Sequence, residues 1–92
     1  MFAIAFDMTI GDLKENFGNP YNNAYYEIGK ILRRYDFPST QGSVYLSENE
    51  DMANLLRAMV ELKSTPWFAN AVRDIKAFRV EQWSDFTTFM KE

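Results

Sequence analysis

Short, densely apolar runs alternate along this chain with longer stretches in which apolar residues recur every three or four positions. The chain opens with Met1-Phe2-Ala3-Ile4-Ala5-Phe6-Asp7-Met8, a brief run that is apolar on both faces and predicts a strand covered from both sides. Alternation puts Phe2, Ile4, Phe6 and Met8 on one face, and Ala3, Ala5 and Asp7 on the other. Residues 9–18 are polar, with two glycines, and read as a connecting loop with a helical turn at 12–16. Asn19-Pro20 then reads as an N-cap followed by proline at the first helical position. Tyr21, Ala24, Tyr25, Ile28, Ile31, Leu32 and Tyr35 follow at helical spacing, and the helix is expected to end near Asp36, with Arg33 and Arg34 in its last turn.

Residues 37–47 contain Pro38, Gly42 and several β-formers, which predicts a strand bent at Gly42 or two short strands. Ser47-Glu48-Asn49-Glu50 has the pattern of a capping box, and Met52, Leu55, Leu56, Met59 and Leu62 form the stripe of a second helix. Thr65-Pro66 starts a short helical turn bearing Trp67 and Phe68. Residues 72–82 read as a final strand, after which Ser84 caps a short helix carrying Phe86, Phe89 and Met90. With right-handed crossovers this order predicts one α+β domain over residues 1–92, a ferredoxin-like sandwich of the β-α-β-β-α-β type with a short C-terminal helical tail. Both main helices then cover one sheet face. The small alanines of the other face suit close approach by a second copy, so a homodimer formed through the sheet is expected.

Composition narrows the chemistry. The chain is 47% hydrophobic and 16% aromatic, enough for a core and for an interface besides. It has no cysteine and no histidine, which excludes thiol nucleophiles, cysteine zinc sites, Ser-His-Asp machinery and paired-histidine ribonuclease chemistry. What remains is carboxylates, hydroxyls, Lys and Arg, with or without a hard divalent cation and with no organic cofactor. A formal net charge of −3 argues against a general grip on nucleic acid, so any phosphate-binding surface must be local. No basic n-region precedes the opening run, and no segment approaches the roughly 18 apolar residues of a membrane span. A cytoplasmic protein without a membrane partner is expected.

Asp7 is the first candidate for chemistry, because a carboxylate ending an apolar strand needs a compensating partner. On the open face near a twofold axis it would share a proton or a cation with its mate, and Mg²⁺ or Mn²⁺ held there would bind phosphate and activate water. Capping a loop amide, or pairing with Arg73 or Arg79, would satisfy it equally well. Thr40-Gln41-Gly42-Ser43 combines a glycine with amide and hydroxyl groups that suit a phosphodiester, or else punctuates the sheet edge. Tyr45 offers a ring for base stacking or for cross-strand packing. Arg73, Lys76 and Arg79 bring cations to one strand; alternation puts Arg73 and Arg79 on one face and Lys76 on the other, and the two arginines are able to meet phosphate or the neighbouring acids Asp74 and Glu81. Asn22, at the start of the first long helix, suits an anion at the helix N-terminus or simple capping.

Several segments, taken in order, resemble the virulence-associated protein D family of bacteria. They are Phe2-Ala3-Ile4-Ala5-Phe6-Asp7, Tyr21-Asn22-Asn23-Ala24-Tyr25, Thr40-Gln41-Gly42-Ser43-Val44-Tyr45, Trp67-Phe68, Val72-Arg73-Asp74-Ile75 and Val80-Glu81-Gln82-Trp83-Ser84-Asp85-Phe86. They span nearly the whole chain, and residues 8–19 are the least family-like stretch. A wider similarity is to the small CRISPR-associated endonuclease subunit, whose first strand also ends in aspartate and which is linked to Mg²⁺. The resemblance implies a ferredoxin-like homodimer that cleaves RNA and acts as the toxin of a toxin–antitoxin pair, with a small antitoxin as partner. It implies Asp7 as the residue most tied to activity, with Gln41 and Ser43 nearby. The expected function is therefore RNA phosphodiester hydrolysis, with Asp7 as general base or metal ligand and Ser43, Gln41 and Arg73 orienting the phosphate. The rival expectation is a non-catalytic dimeric adaptor that binds nucleic acid or a partner protein.

Overall fold

In a computed structural model describing residues 1–92, the opening run forms β1, Phe2–Met8, at the centre of the sheet. Its composition calls for that position, since a strand apolar on both faces needs neighbours along each edge. β2, Ser39–Gln41, is the outer strand next to β3, Val44–Ser47. β3 pairs antiparallel with one edge of β1, and β4, Val72–Arg79, pairs antiparallel with the other, giving the order β2-β3-β1-β4. Five helices complete a mixed α+β fold: α1, Ile10–Asn16; α2, Asn23–Arg33; α3, Met52–Lys63; α4, Pro66–Ala71; and α5, Thr87–Lys91. This is compatible with the expected ferredoxin-like sandwich.

The register sorts the faces. Ile4 lies opposite Tyr45 and Ala77, and Phe6 opposite Ile75, so these side chains share the helix-covered face. Phe2, Ile4 and Phe6 are buried there with Ile28 and Leu32 of α2, Leu55, Ala58 and Leu62 of α3, Phe68 of α4, and Phe37. Phe6 stacks on Tyr45 at 5.8 Å between centroids and meets Phe68 edge-on at 5.4 Å. Burying a Phe, Leu or Ile side chain stabilises by about 1.5–3 kcal/mol, so this cluster is what holds β1 in place. Ala3, Ala5 and Asp7 share the other face with Val44, Leu46, Asp74, Lys76 and Phe78; Ala3 is fully buried there and Leu46 shares a cavity with Trp83 of the C-terminal segment, while Asp7, Lys76 and Phe78 are exposed.

Four local readings are corrected. Residues 19–20 form a bend ahead of the helix, and α2 starts at Asn23, so Pro20 is not a first helical residue. The stretch read as a loop is mostly α1, whose Leu13 packs with Ala24 and Ala71 in a second buried cluster. Ser47 ends β3 rather than capping α3; Asp51 is the cap, accepting a 2.9 Å hydrogen bond from the Ala53 amide. Finally, α3 buries Asn54, Leu55, Ala58 and Leu62, leaving Met52 and Leu56 exposed. Asn54 goes inward because its amide donates to the Tyr35 carbonyl at 2.7 Å, which satisfies a polar group inside.

Candidate active site

β1 and β4 run in register from Phe2–Arg79 to Asp7–Asp74, and then the pairing slips: Met8 lies opposite Val72. Arg73 is left without a partner on β1, which is the signature of a β-bulge. Strict alternation would send Arg73 to the helix-covered face, away from Asp74. The bulge re-aims it, and its Nη2 lies 3.4 Å from Asp7 Oδ2 and its Nε 3.7 Å from Asp74 Oδ2. The Thr9 amide donates to the Ala71 carbonyl at 3.1 Å, tying the chain after β1 to the chain before β4 just beyond the slip.

Asp7 and Asp74 face each other across the strands, an arrangement that is unfavourable for two carboxylates unless cations intervene. Arg73 supplies one cation, and Lys76, with Nζ 3.4 Å from Asp74 Oδ1, supplies the other. The Asp7 side chain is 63% exposed, so it carries no burial cost; its strand is buried but its end is not. Exposed pairs like these contribute about 0–1 kcal/mol each, which leaves both cations free to exchange a carboxylate for an incoming phosphate.

The other wall comes from the hairpin. Gly42 and Ser43 form a two-residue turn between the paired Gln41 and Val44. Gly42 has φ +48° while Ser43 does not go positive, the pattern of a turn with glycine at its first position. Ser43 is fixed by its carbonyl, which accepts from the Phe6 amide at 3.2 Å, one residue from Asp7. Asp7, Gln41, Ser43, Asp74 and Lys76 thereby line one open cavity of about 480 Å³, with Arg73 reaching Asp7 beside it.

Of the residues expected at a site, the structure brings together Asp7, Gln41, Ser43 and Arg73. Asn22 is exposed at the start of α2, makes no side-chain cap, and is not at this cavity. Tyr45 is corrected outright: it is 2% exposed, stacked on Phe6, and its burial pushes the phenol pKa up, so it has no face to offer a base. Arg79 also lies elsewhere, over the Phe2 ring at 5.3 Å and beside Glu50. Sequence reasoning missed Lys76 and Asp74 as site residues. Their alternation with Phe78 on the face of Asp7 was the available signal, once β4 is set antiparallel to β1.

Two opposed carboxylates flanked by two side-chain cations are a poor donor set for a resident Mg²⁺ or Mn²⁺, which takes about six oxygen ligands. No three acidic or other ligating side chains in the chain are grouped to hold a metal ion.

No family model matches the chain. Curated relatives do. It is 58% identical over 84 residues to "Endoribonuclease VapD 1" of Riemerella anatipestifer, covering 91% of this chain and 94% of that one. It is 54% identical to "Endoribonuclease VapD" of Dichelobacter nodosus, covering 99% of this chain and 98% of the relative. It is 48% identical to "Endoribonuclease VapD" of Haemophilus influenzae, covering 99% of each. With this identity along nearly its whole length, and with the end of β1, the hairpin turn and the bulge of β4 meeting at one cavity, the chain belongs to the VapD family of endoribonucleases.

Proposed function

We propose that this protein is an endoribonuclease that cuts RNA phosphodiester bonds at the Asp7 cavity. The observation that carries the reading is the bulge, which sets a carboxylate and a guanidinium 3.4 Å apart at an open cavity lined by amide, hydroxyl and ammonium groups. The phosphate takes Arg73 and Lys76 from their carboxylate partners, and Gln41 and Ser43 donate hydrogen bonds that hold it for in-line attack. Asp7, released from Arg73, accepts the proton of the attacking water. The new P–O bond forms as the bond to the leaving ribose oxygen breaks, and Lys76 is placed to return a proton to that oxygen. Charge on the phosphoryl oxygens is met by Arg73, the role a metal would otherwise have. Mg²⁺ or Mn²⁺ bound by Asp7 is the reading the donor set supports less. Cleavage of RNA by wild type and by Asp7→Asn, with each ion and with EDTA, tests both.

The finer expectations belong to the same proposal. The ferredoxin-like sandwich has its support in the antiparallel strand order and in α2, α3 and α4 gathered on one face. A homodimer through this sheet face is supported by Phe78, 48% exposed, beside Ala5 and Val44; sedimentation of the purified chain tests it. The toxin of a toxin–antitoxin pair, acting in the cytoplasm, accords with an RNA-cutting activity that needs restraint. Growth arrest on expression of wild type but not of Asp7→Asn, relieved by a co-expressed antitoxin, is the corresponding test. No helix is long and apolar enough to cross a membrane. RNA binding without cleavage under every ion would favour the non-catalytic adaptor.

A further inference from the structure

The Asp7 cavity does not end at Gln41. That residue also lines a second cavity of about 650 Å³, formed between β2 and the C-terminal segment that carries Trp83, Phe86 and Lys91. Thr40 and Trp83 in turn are shared with a third cavity, of about 560 Å³, which reaches Arg33. Each of the three cavities thus has a β2 residue in its wall, neighbouring cavities sharing Gln41 or Thr40, and all three residues of β2 are exposed.

Three features of this row point to one ligand class. Trp83 is 49% exposed and Phe86 61%, whereas the other tryptophan packs on Phe17 at 4.7 Å and Tyr45 is buried; with Phe78, which lines the Asp7 cavity, Trp83 and Phe86 are the exposed rings along this row. Lys91 and Arg33 are the cations of the second and third cavities, and neither makes a salt bridge, unlike Arg73 and Lys76. Asp85, the acid of the second cavity, is already engaged: the Thr87 hydroxyl, and then the Thr87 amide that donates to it at 2.8 Å, hold its pKa low. Unpaired cations alternating with aromatic faces along a groove are what single-stranded nucleic acid binds. β2 covers about 10 Å, room for about three stacked nucleotides at roughly 3.4 Å each. Asp36 and Glu48 line the far cavity as well, and Arg33 is the side-chain cation there that offsets them.

We propose that the RNA strand leaves the cleavage site along β2, with a base stacked on Trp83 and flanking phosphates held by Lys91 and Arg33. The proposal rests on the reading of the Asp7 cavity as the cleavage site. It makes the enzyme specific for single-stranded RNA extending two or three nucleotides to one side of the cut.

The test uses the full-length Asp7→Asn protein and two probes, a five-nucleotide single-stranded RNA and a dinucleotide. The pentamer quenches tryptophan emission, and the quenching is lost in Trp83→Leu, which leaves Trp67 as background. Trp83→Leu weakens pentamer binding roughly ten-fold while Trp83→Phe keeps most of it, as expected of stacking. The dinucleotide is bound alike by all three. Lys91→Gln and Arg33→Gln each lower the salt slope by roughly 0.7. Pentamer affinity unchanged in Trp83→Leu overturns the proposal. So does a Trp83→Leu protein that dissociates in sedimentation with its RNA affinity intact, because the tail then belongs to a subunit interface. If wild type binds the pentamer through Trp83 yet never cuts it, the track stands and the assignment of cleavage to Asp7 falls.

Discussion

The Arg73 guanidinium lies 3.4 Å from the Asp7 carboxylate because β4 carries one residue more than β1 at the step from Asp7 to Met8. Without that bulge Arg73 would face the helices, and Asp7 would oppose Asp74 with Lys76 as the nearest cation on its face. Arg73→Gln is therefore expected to leave stability within about 1 kcal/mol, since the pair is exposed. It should lower kcat/KM for RNA by roughly ten-fold or more, the loss of one charge-assisted phosphate contact. Thermal melting and steady-state cleavage of the same preparation check both halves.

Lys76 and Arg79 are three residues apart on β4 but on different faces. Lys76→Gln should reduce cleavage by a similar factor, roughly ten-fold. Arg79→Gln, which loses contacts to the Phe2 ring and Glu50, should leave cleavage unchanged. Equal effects in a side-by-side cleavage assay would deny Lys76 a place at the phosphate.

Tyr45 separates packing from recognition. Tyr45→Phe keeps the ring that stacks on Phe6 and should cleave like wild type, whereas Tyr45→Ala should cost about 3–5 kcal/mol from the core. Burial raises the phenol above its ordinary value of 10.0 in the folded chain. Stability from keeping it neutral is thus complete below pH 10.0 and is lost as pH rises through the folded value. Tyr35, raised by the hydroxyl it donates to Glu61, acts in the same direction. Denaturant titrations above pH 10 should show a shallower decline for Tyr45→Phe than for wild type.

Gly42 holds the hairpin turn at φ +48°, where a side chain is strained although nothing lies within 4 Å of an added Cβ. Gly42→Ala should cost about 1 kcal/mol or somewhat more through backbone strain alone. Because Gln41 and Ser43 flank it at the cavity, cleavage should fall further than stability does. A melting curve beside a cleavage rate will show whether the two losses part.

Much of this was legible in the chain. The apolar run of β1, the helical spacing of Ile28 and Leu32, and the break at Gly42 each follow from local pattern, and each forms as expected. Asp7 was found because a charge at the end of such a run is conspicuous. The face of Tyr45 was not legible, because it is assigned by the pairing with Ile4 across the sheet, which no local pattern reveals. Alternation put Arg73 on the face of Arg79, and the bulge in β4, which breaks alternation without changing composition, turns it to Asp7 instead. Asn54 and Asp51 show a further limit: which polar residue turns inward or caps depends on a carbonyl or amide supplied by the fold.

The most direct measurement is cleavage of single-stranded RNA by purified wild type and Asp7→Asn, each with Mg²⁺, with Mn²⁺ and with EDTA. The account predicts that wild type cuts under all three conditions. It predicts that Asp7→Asn folds normally but loses about a hundred-fold or more in rate, the scale of a missing general base. Wild-type rates in the folded Asp7→Asn protein would contradict the account at its centre, and cleavage abolished by EDTA would return the carboxylate to the role of metal ligand.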